Sequence, residues 1–198
     1  MSLINYGQLF LLVIFAITLT IRYIISLKEK VTPIIIFTKE KDFVERIIDI
    51  APVITVNLAI LLVLRKIFTP QICSFLSFGY KPPLWLQLFG FIISFSSFFL
   101  LIPGYYYIGN NWRIGINDDS IDRLVTNGIY VYTRNPIYLF FDFFWLGMFI
   151  INGDIILLIL LIILSATLHL IILKEEKFLQ RKFKDLYENY KKSTPRYF

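Results

Sequence analysis

The sequence predicts an all-α protein: an integral membrane bundle of five transmembrane helices, with a cytosolic connector and an amphipathic C-terminal helix. Three observations carry this. Of 198 residues, 57% are hydrophobic and 20 are Phe, against about 45–50% apolar residues in an average soluble domain. The apolar residues fall into five long runs. The net charge of +6 comes from Lys and Arg gathered between those runs, where membrane proteins place them, so no nucleic-acid partner is expected. The composition excludes disorder and coiled coil. The single Cys73 excludes an internal disulfide and a Cys-based metal site. It reads as a small buried or lipid-facing residue.

Residues 4–27 form the first run, long enough to cross a bilayer as a helix of about 20 residues. Its one charge, Arg22, stands near the end, where its head group can snorkel to the interface. No small-residue cleavage site follows, so the run reads as an anchor. Residues 47–68 form the second run, with Pro52 near its start and Asn57 inside, and 84–102 the third, without charge. The fourth, 137–151, is short and holds Asp142, four residues after Tyr138 and near enough to the cytosolic end to stay wet. Asn152-Gly153-Asp154 signals a turn, and 155–173 is the fifth run. The last two read as an antiparallel hairpin. His169, the only histidine, reads as a helix-interior hydrogen-bonding residue near the interface.

The charges orient the bundle. With five crossings, one side holds the 28–46 loop, the 104–136 connector and the tail, with five, three and eight Lys and Arg. The other holds the N-terminus, the 65–83 loop and the tight turn, with none, three and none. Positive residues accumulate in the cytoplasm, so the N-terminus should lie outside and the C-terminus in the cytosol. The chain reads as a single membrane domain, 1–198, with a three-helix part over 1–103. The remainder, 104–198, supplies connector, hairpin and C-terminal helix.

Two polar segments carry the chemistry. The connector is long enough to be functional or disordered, and too aromatic to be disordered, with Tyr105, Tyr106, Tyr107, Trp112, Tyr130 and Tyr132 alongside Ile114 and Ile116. An interfacial aromatic belt would explain the tyrosines but not the Gly-Asn-Asn-Trp and Arg-Asn-Pro clusters. In the tail, a helical wheel over residues 175–190 gathers Leu179, Phe183, Leu186, Tyr187 and Tyr190 on one face. Glu176 falls inside that stripe and Glu175 at its edge. Two carboxylates there need cationic or hydrogen-bonding partners. They serve either a ligand or a structural pairing with Lys174, Arg134 or Arg181. The sequence has no dinucleotide fingerprint, phosphate-binding loop or His-Glu-x-x-His, and one histidine cannot build a His-rich metal site. No metal is expected.

The order Gly109-Asn110-Asn111-Trp112, Arg123 to Tyr130, Arg134-Asn135-Pro136-Ile137-Tyr138, Glu175-Glu176, Tyr187-Glu188-Asn189-Tyr190 and Thr194-Pro195-Arg196 resembles the isoprenylcysteine carboxyl methyltransferase family and the related phospholipid methyltransferases. The resemblance covers 105–198. It implies S-adenosylmethionine (SAM) as cofactor, bound on the cytosolic side, with S-adenosylhomocysteine as product and a lipophilic acceptor drawn from the membrane. By the same resemblance Leu124, Val125, Tyr130, Asn135, Pro136, Ile137, Tyr138 and Glu175 line the cofactor. No catalytic residue is assigned. The chemistry of these side chains agrees: a buried Glu accepts from ribose hydroxyls or meets a cation, and Tyr faces suit adenine or a sulfonium.

Two positions depart from the pattern. Asn135 replaces the motif His, so it can hydrogen-bond but not titrate near neutral pH. Ile171 stands where carboxyl-methylating members carry an Arg for the substrate carboxylate. That favours an amine or hydroxyl acceptor over a prenylcysteine carboxylate. The alternatives are an NADPH-dependent reductase of the sterol-reductase type, with its similar Arg-His-Pro-x-Tyr hairpin, and a non-catalytic bundle.

Overall fold

The computed structural model describes residues 2–28, 43–69, 79–109 and 123–198. Cys73, Asn110, Asn111, Trp112, Ile114 and Ile116 lie outside them. Six helices order the described chain: α1 (Leu3–Lys28), α2 (Phe43–Phe68), α3 (Leu84–Ile108), α4 (Pro136–Asn152), α5 (Ile155–Phe183) and α6 (Asp185–Ser193), with a 3₁₀ turn at Gly128–Val131. Four of these are long and apolar enough to cross a membrane: Leu3–Ile25 within α1, α2, α3 and α5. The fourth helix in the chain, α4, is apolar but only 17 residues long, about 25 Å against a hydrocarbon core of about 30 Å.

Successive long helices run in opposite directions. The starts of α1, α3 and α5 meet the ends of α2 and α4 around one cavity. At the other end, Arg22 near the end of α1 donates to the carbonyl of Gly109 that closes α3. Arg22 is therefore not a snorkelling charge: it is buried and lies over the Tyr105 ring at 5.9 Å.

The tightest packing joins α3 to α4, because small residues line the seam. A Cβ on Gly147 would come within 2.4 Å of the Gly90 carbonyl and 2.7 Å of the Ser94 nitrogen. Ser94 Oγ donates to the Phe144 carbonyl at 2.9 Å. Without a hydrophobic force between helices in lipid, such backbone approach is what holds them together. Gly147→Ala should cost about 2 kcal/mol by forcing the two helices apart. Thermal unfolding in detergent checks this, and an unchanged midpoint would contradict it. Beside the seam, Phe15 stacks on Phe144 at 4.9 Å and Phe98 meets Phe140 at 5.2 Å. Phe10, Val13, Ile17, Ile21 and Ile24 stay exposed along α1, the face expected against lipid tails.

Three expected boundaries shift. The third run continues to Ile108, carrying Pro103 and Tyr105–Tyr107 inside the helix rather than in the connector. Tyr105 is buried there, beside Arg22. The fifth run does not stop at 173. No Gly or Pro interrupts residues 155–183, so α5 continues through Glu175 and Glu176. The break comes later, at Lys184, with φ 46°. The tail is thus two helices, and Leu186 turns outward, 68% exposed, instead of joining the apolar face. A side-chain-bearing residue with such a φ is strained. Lys184→Gly should raise stability by about 1 kcal/mol, read as a higher melting temperature.

The turn at 152–154 forms as its residues suggest. Gly153 adopts a left-handed conformation at φ 61° and caps α4 through the Phe149 carbonyl. Asp154 Oδ1 accepts from the Ile156 amide to start α5.

Candidate cofactor and lipid site

The connector returns to the bundle through the 3₁₀ turn. Gly128 has φ 62°, and a Cβ there would lie 2.1 Å from the Tyr107 ring, so only glycine lets the turn close against α3. This buries Tyr130, whose hydroxyl donates to the Gly104 carbonyl at 3.3 Å. Its own carbonyl accepts from the Tyr190 hydroxyl on α6 at 2.7 Å. Burial pushes the Tyr130, Tyr187 and Tyr190 hydroxyls above the ordinary tyrosine range, so they stay neutral, and Tyr130 and Tyr190 act as donors.

Arg134-Asn135-Pro136 then starts α4. Pro136 takes the first helical position and Asn135 the cap, at φ −132° and ψ 50°, outside the helical region that a following proline disfavours. The C-terminal strap ties this corner down. Asn135 Nδ2 and Thr133 Oγ1 both donate to the Arg196 carbonyl at 3.1 Å. The Arg134 amide donates to the Pro195 carbonyl at 3.1 Å, and Thr194 Oγ1 to the Val131 carbonyl at 3.2 Å.

The two neighbouring carboxylates of α5 face different surroundings. Glu176 is buried between two arginines. Arg134 donates to its Oε1 at 2.8 Å. Arg196 donates through Nε to Oε1 at 3.1 Å and through a terminal nitrogen to Oε2 at 2.8 Å. This hydrogen-bonded pairing holds the Arg196 guanidinium above its ordinary value. Of the partners expected from sequence, Arg134 is present. Lys174 instead pairs with Glu45 at 3.5 Å, and Arg196 was not foreseen as a partner.

No arginine among the described residues pairs with Glu175. Its Oε1 accepts from the Tyr138 hydroxyl at 2.7 Å, and no described residue donates to its Oε2. Both residues are half-buried. Asp49, buried on α2, lies close enough to act electrostatically on Glu175 and Tyr138. Tyr130 in turn senses Glu175 and Arg22. Helices α1, α2, α4 and α5 thus send Arg22, Asp49, Tyr138 and Glu175 towards one end of the bundle, where α3 adds Tyr105 and the Gly104 carbonyl.

The model of phospholipid methyltransferases matches residues 84–185, a little over half of the chain. The chain belongs to the phospholipid methyltransferase family. Membership makes it a membrane methyltransferase whose substrates are lipids. No curated protein matches it. The matched segment of this methyltransferase spans α3 to the end of α5. Arg22, Asp49, Tyr190 and Arg196 therefore reach the site from outside it.

Among the residues proposed from sequence, the structure joins Tyr138 to Glu175 directly and sets Tyr130 nearby. Pro136 and Ile137 are buried, Ile137 within the core. Asn135 gives its amide N–H to the strap. Leu124 and Val125 are half-buried in the segment before the 3₁₀ turn. Ile171 lies in the apolar core. Two other polar residues find partners away from this corner. Asp142, half-buried, accepts from Ser165 Oγ at 2.6 Å, so the protein and not only water satisfies it. His169 Nδ1 pairs with the Tyr197 hydroxyl. Arg196 could have been found as the closing Arg of the motif. Asp49 carried one signal, an acidic residue inside an apolar run.

Proposed function

We propose that this methyltransferase transfers a methyl group from SAM to a lipophilic acceptor at the membrane surface, and that Glu175 and Tyr138 mark the cofactor site. The observation that carries the reading is the contrast between the two glutamates. One is saturated by arginines, while its neighbour keeps a carboxylate oxygen without a donor among the described residues.

The donor set suits SAM. Glu175 Oε2 is an acceptor for ribose hydroxyls or for the ammonium group. The half-buried Tyr138 ring offers a face to adenine or to a cation. The remaining proposed lining is Leu124, Val125, Tyr130, Asn135, Pro136 and Ile137. Bound SAM supplies an activated methyl on its sulfonium. The residues of the chain align it and keep water away, which is what an in-line displacement needs most. Tyr138 holds the Glu175 carboxylate in place, and the strap over Asn135 fixes the corner where α4 begins.

Five membrane crossings with an outside N-terminus and a cytosolic C-terminus fit this reading, since they set Glu175 on the SAM-containing side. The single domain of 1–198 then divides into a lipid-facing part over 1–103 and a cofactor part over 104–198. The buried, apolar surroundings of Ile171 favour an amine or hydroxyl acceptor, because a carboxylate would meet no cation there. Incubating the purified protein with methyl-labelled SAM and a membrane lipid extract tests the function. Label should enter a lipid in proportion to protein. A lipid fraction without label would contradict the proposal.

A further inference from the structure

A cavity of about 920 Å³ lies at the end of the bundle away from Glu175. Helix α2 sets the separation: Asp49 acts on Glu175, whereas Lys66, seventeen residues later in the same helix, lines this cavity. That is about 25 Å along the axis. The volume falls in the range of small-molecule sites.

Its wall carries an unused polar group. Gln8 of α1 is only 3% exposed and reaches the cavity, yet no described residue hydrogen-bonds its amide. The amide is not among the buried polar atoms cut off without a partner, so it keeps access to the cavity and is available to a ligand. Two cations share the wall, Lys66 and Lys81. Lys66 donates to the Asn152 carbonyl, which engages one of its three N–H bonds. Lys81 is exposed at the rim. Asp154, the one acid on the wall, is held by the Ile156 amide at the start of α5 and offsets part of the Lys66 charge. One net positive charge remains. Three helix starts (α1, α3, α5) and two helix ends (α2, α4) meet here, so their dipoles largely cancel and the lysines carry the positive charge.

The wall also carries Ser2, Asn5, Gln87 and Asn152, with Ile4, Phe68 and Leu84 as its apolar part. Leu3 and Trp85 continue this surface outward, 85% and 69% exposed. An anion with a greasy appendage matches such a site better than a bare inorganic ion.

We propose that this cavity binds a phosphate ester, held by the Gln8 amide and the Lys66 and Lys81 ammonium groups. The ester is either the head group of a phospholipid or a soluble phosphate ester. This site is separate from the one at Glu175, and its test does not depend on methyl transfer.

The test titrates the full chain in detergent with three probes: short-chain phosphatidylglycerol, diacylglycerol of the same chain length, and glycerol 3-phosphate. Calorimetry should show saturable binding of phosphatidylglycerol and none of diacylglycerol. Glycerol 3-phosphate binding with equal affinity assigns the site to soluble esters; much weaker binding assigns it to lipid. Gln8→Leu should weaken the ester at least fivefold without lowering the ligand-free melting temperature, since Gln8 bonds to no described residue. Lys81→Ala, at the rim, should weaken it at least threefold and decides the matter if Gln8→Leu does not fold. Diacylglycerol binding as tightly as phosphatidylglycerol overturns the proposal. So does failure of every probe to bind, or unchanged affinity in the folded variants.

Discussion

Glu176→Ala should destabilise the protein by about 3 kcal/mol, the scale of breaking a buried ion pair by removing one partner. The carboxylate accepts three hydrogen bonds from Arg134 and Arg196. The Arg134 side chain is only 9% exposed. It also donates to the Lys191 and Thr194 carbonyls at 3.3 and 3.0 Å. Removing the acid leaves that guanidinium buried against carbonyls alone. Arg196 is 34% exposed and can turn to water, which limits the loss. The strap carrying Arg196 should loosen as well, exposing the corner at Asn135. Denaturant unfolding in detergent measures the cost, and faster proteolysis after Ser193 reports the released strap. Arg196→Lys should recover only part of the stability, because an ammonium cannot reproduce the fork.

Glu175→Ala should act in the opposite manner. Its affinity for SAM should fall by about 2–3 kcal/mol, the upper range for a hydrogen bond to a charged group, which is roughly a 30- to 150-fold weaker Kd. Stability should hold or rise, because Glu175 has one donor among the described residues and shares its end of the bundle with Asp49. Groups kept for ligands commonly cost the folded state something. Glu175→Gln retains an acceptor without the charge and should fall between. Tyr138→Phe, which releases one neutral donor, should weaken SAM by about 1 kcal/mol. A Glu175→Ala protein that melts early and binds SAM normally would exchange the roles given to the two glutamates.

How far the sequence foretold this arrangement depends on which forces act locally. The apolar runs and the Asn152-Gly153-Asp154 turn were legible because length, burial and turn chemistry are written in neighbouring residues. The cap formed by Asn135 and Pro136 was legible for the same reason. The end of α3 was not, since Pro103 usually marks a boundary, while the helix continues past it to bury Tyr105 beside Arg22. The tail was misjudged by one break. Nothing in Lys184 announces a positive φ, and a residue there with glycine's conformation rotates Leu186 out of the stripe. Glu176 stood out as a carboxylate on an apolar face, but its second arginine lies 20 residues away across two helix ends. Asp49 comes from a helix whose register against α5 no single run reveals. Gln8 was passed over because one amide in an apolar run carries no pattern. Its lack of a partner is visible only once the helices are assembled.

The account rests on Glu175 being the ligand-bearing member of the acidic pair. Calorimetric titration of the wild type and Glu175→Ala in detergent with S-adenosylhomocysteine, and with NADPH as a competing probe, tests it most directly. The expected result is micromolar binding of S-adenosylhomocysteine by the wild type, a loss of at least tenfold in Glu175→Ala, and no heat with NADPH. Saturable NADPH binding with none of S-adenosylhomocysteine, or equal affinity in both proteins, would contradict it.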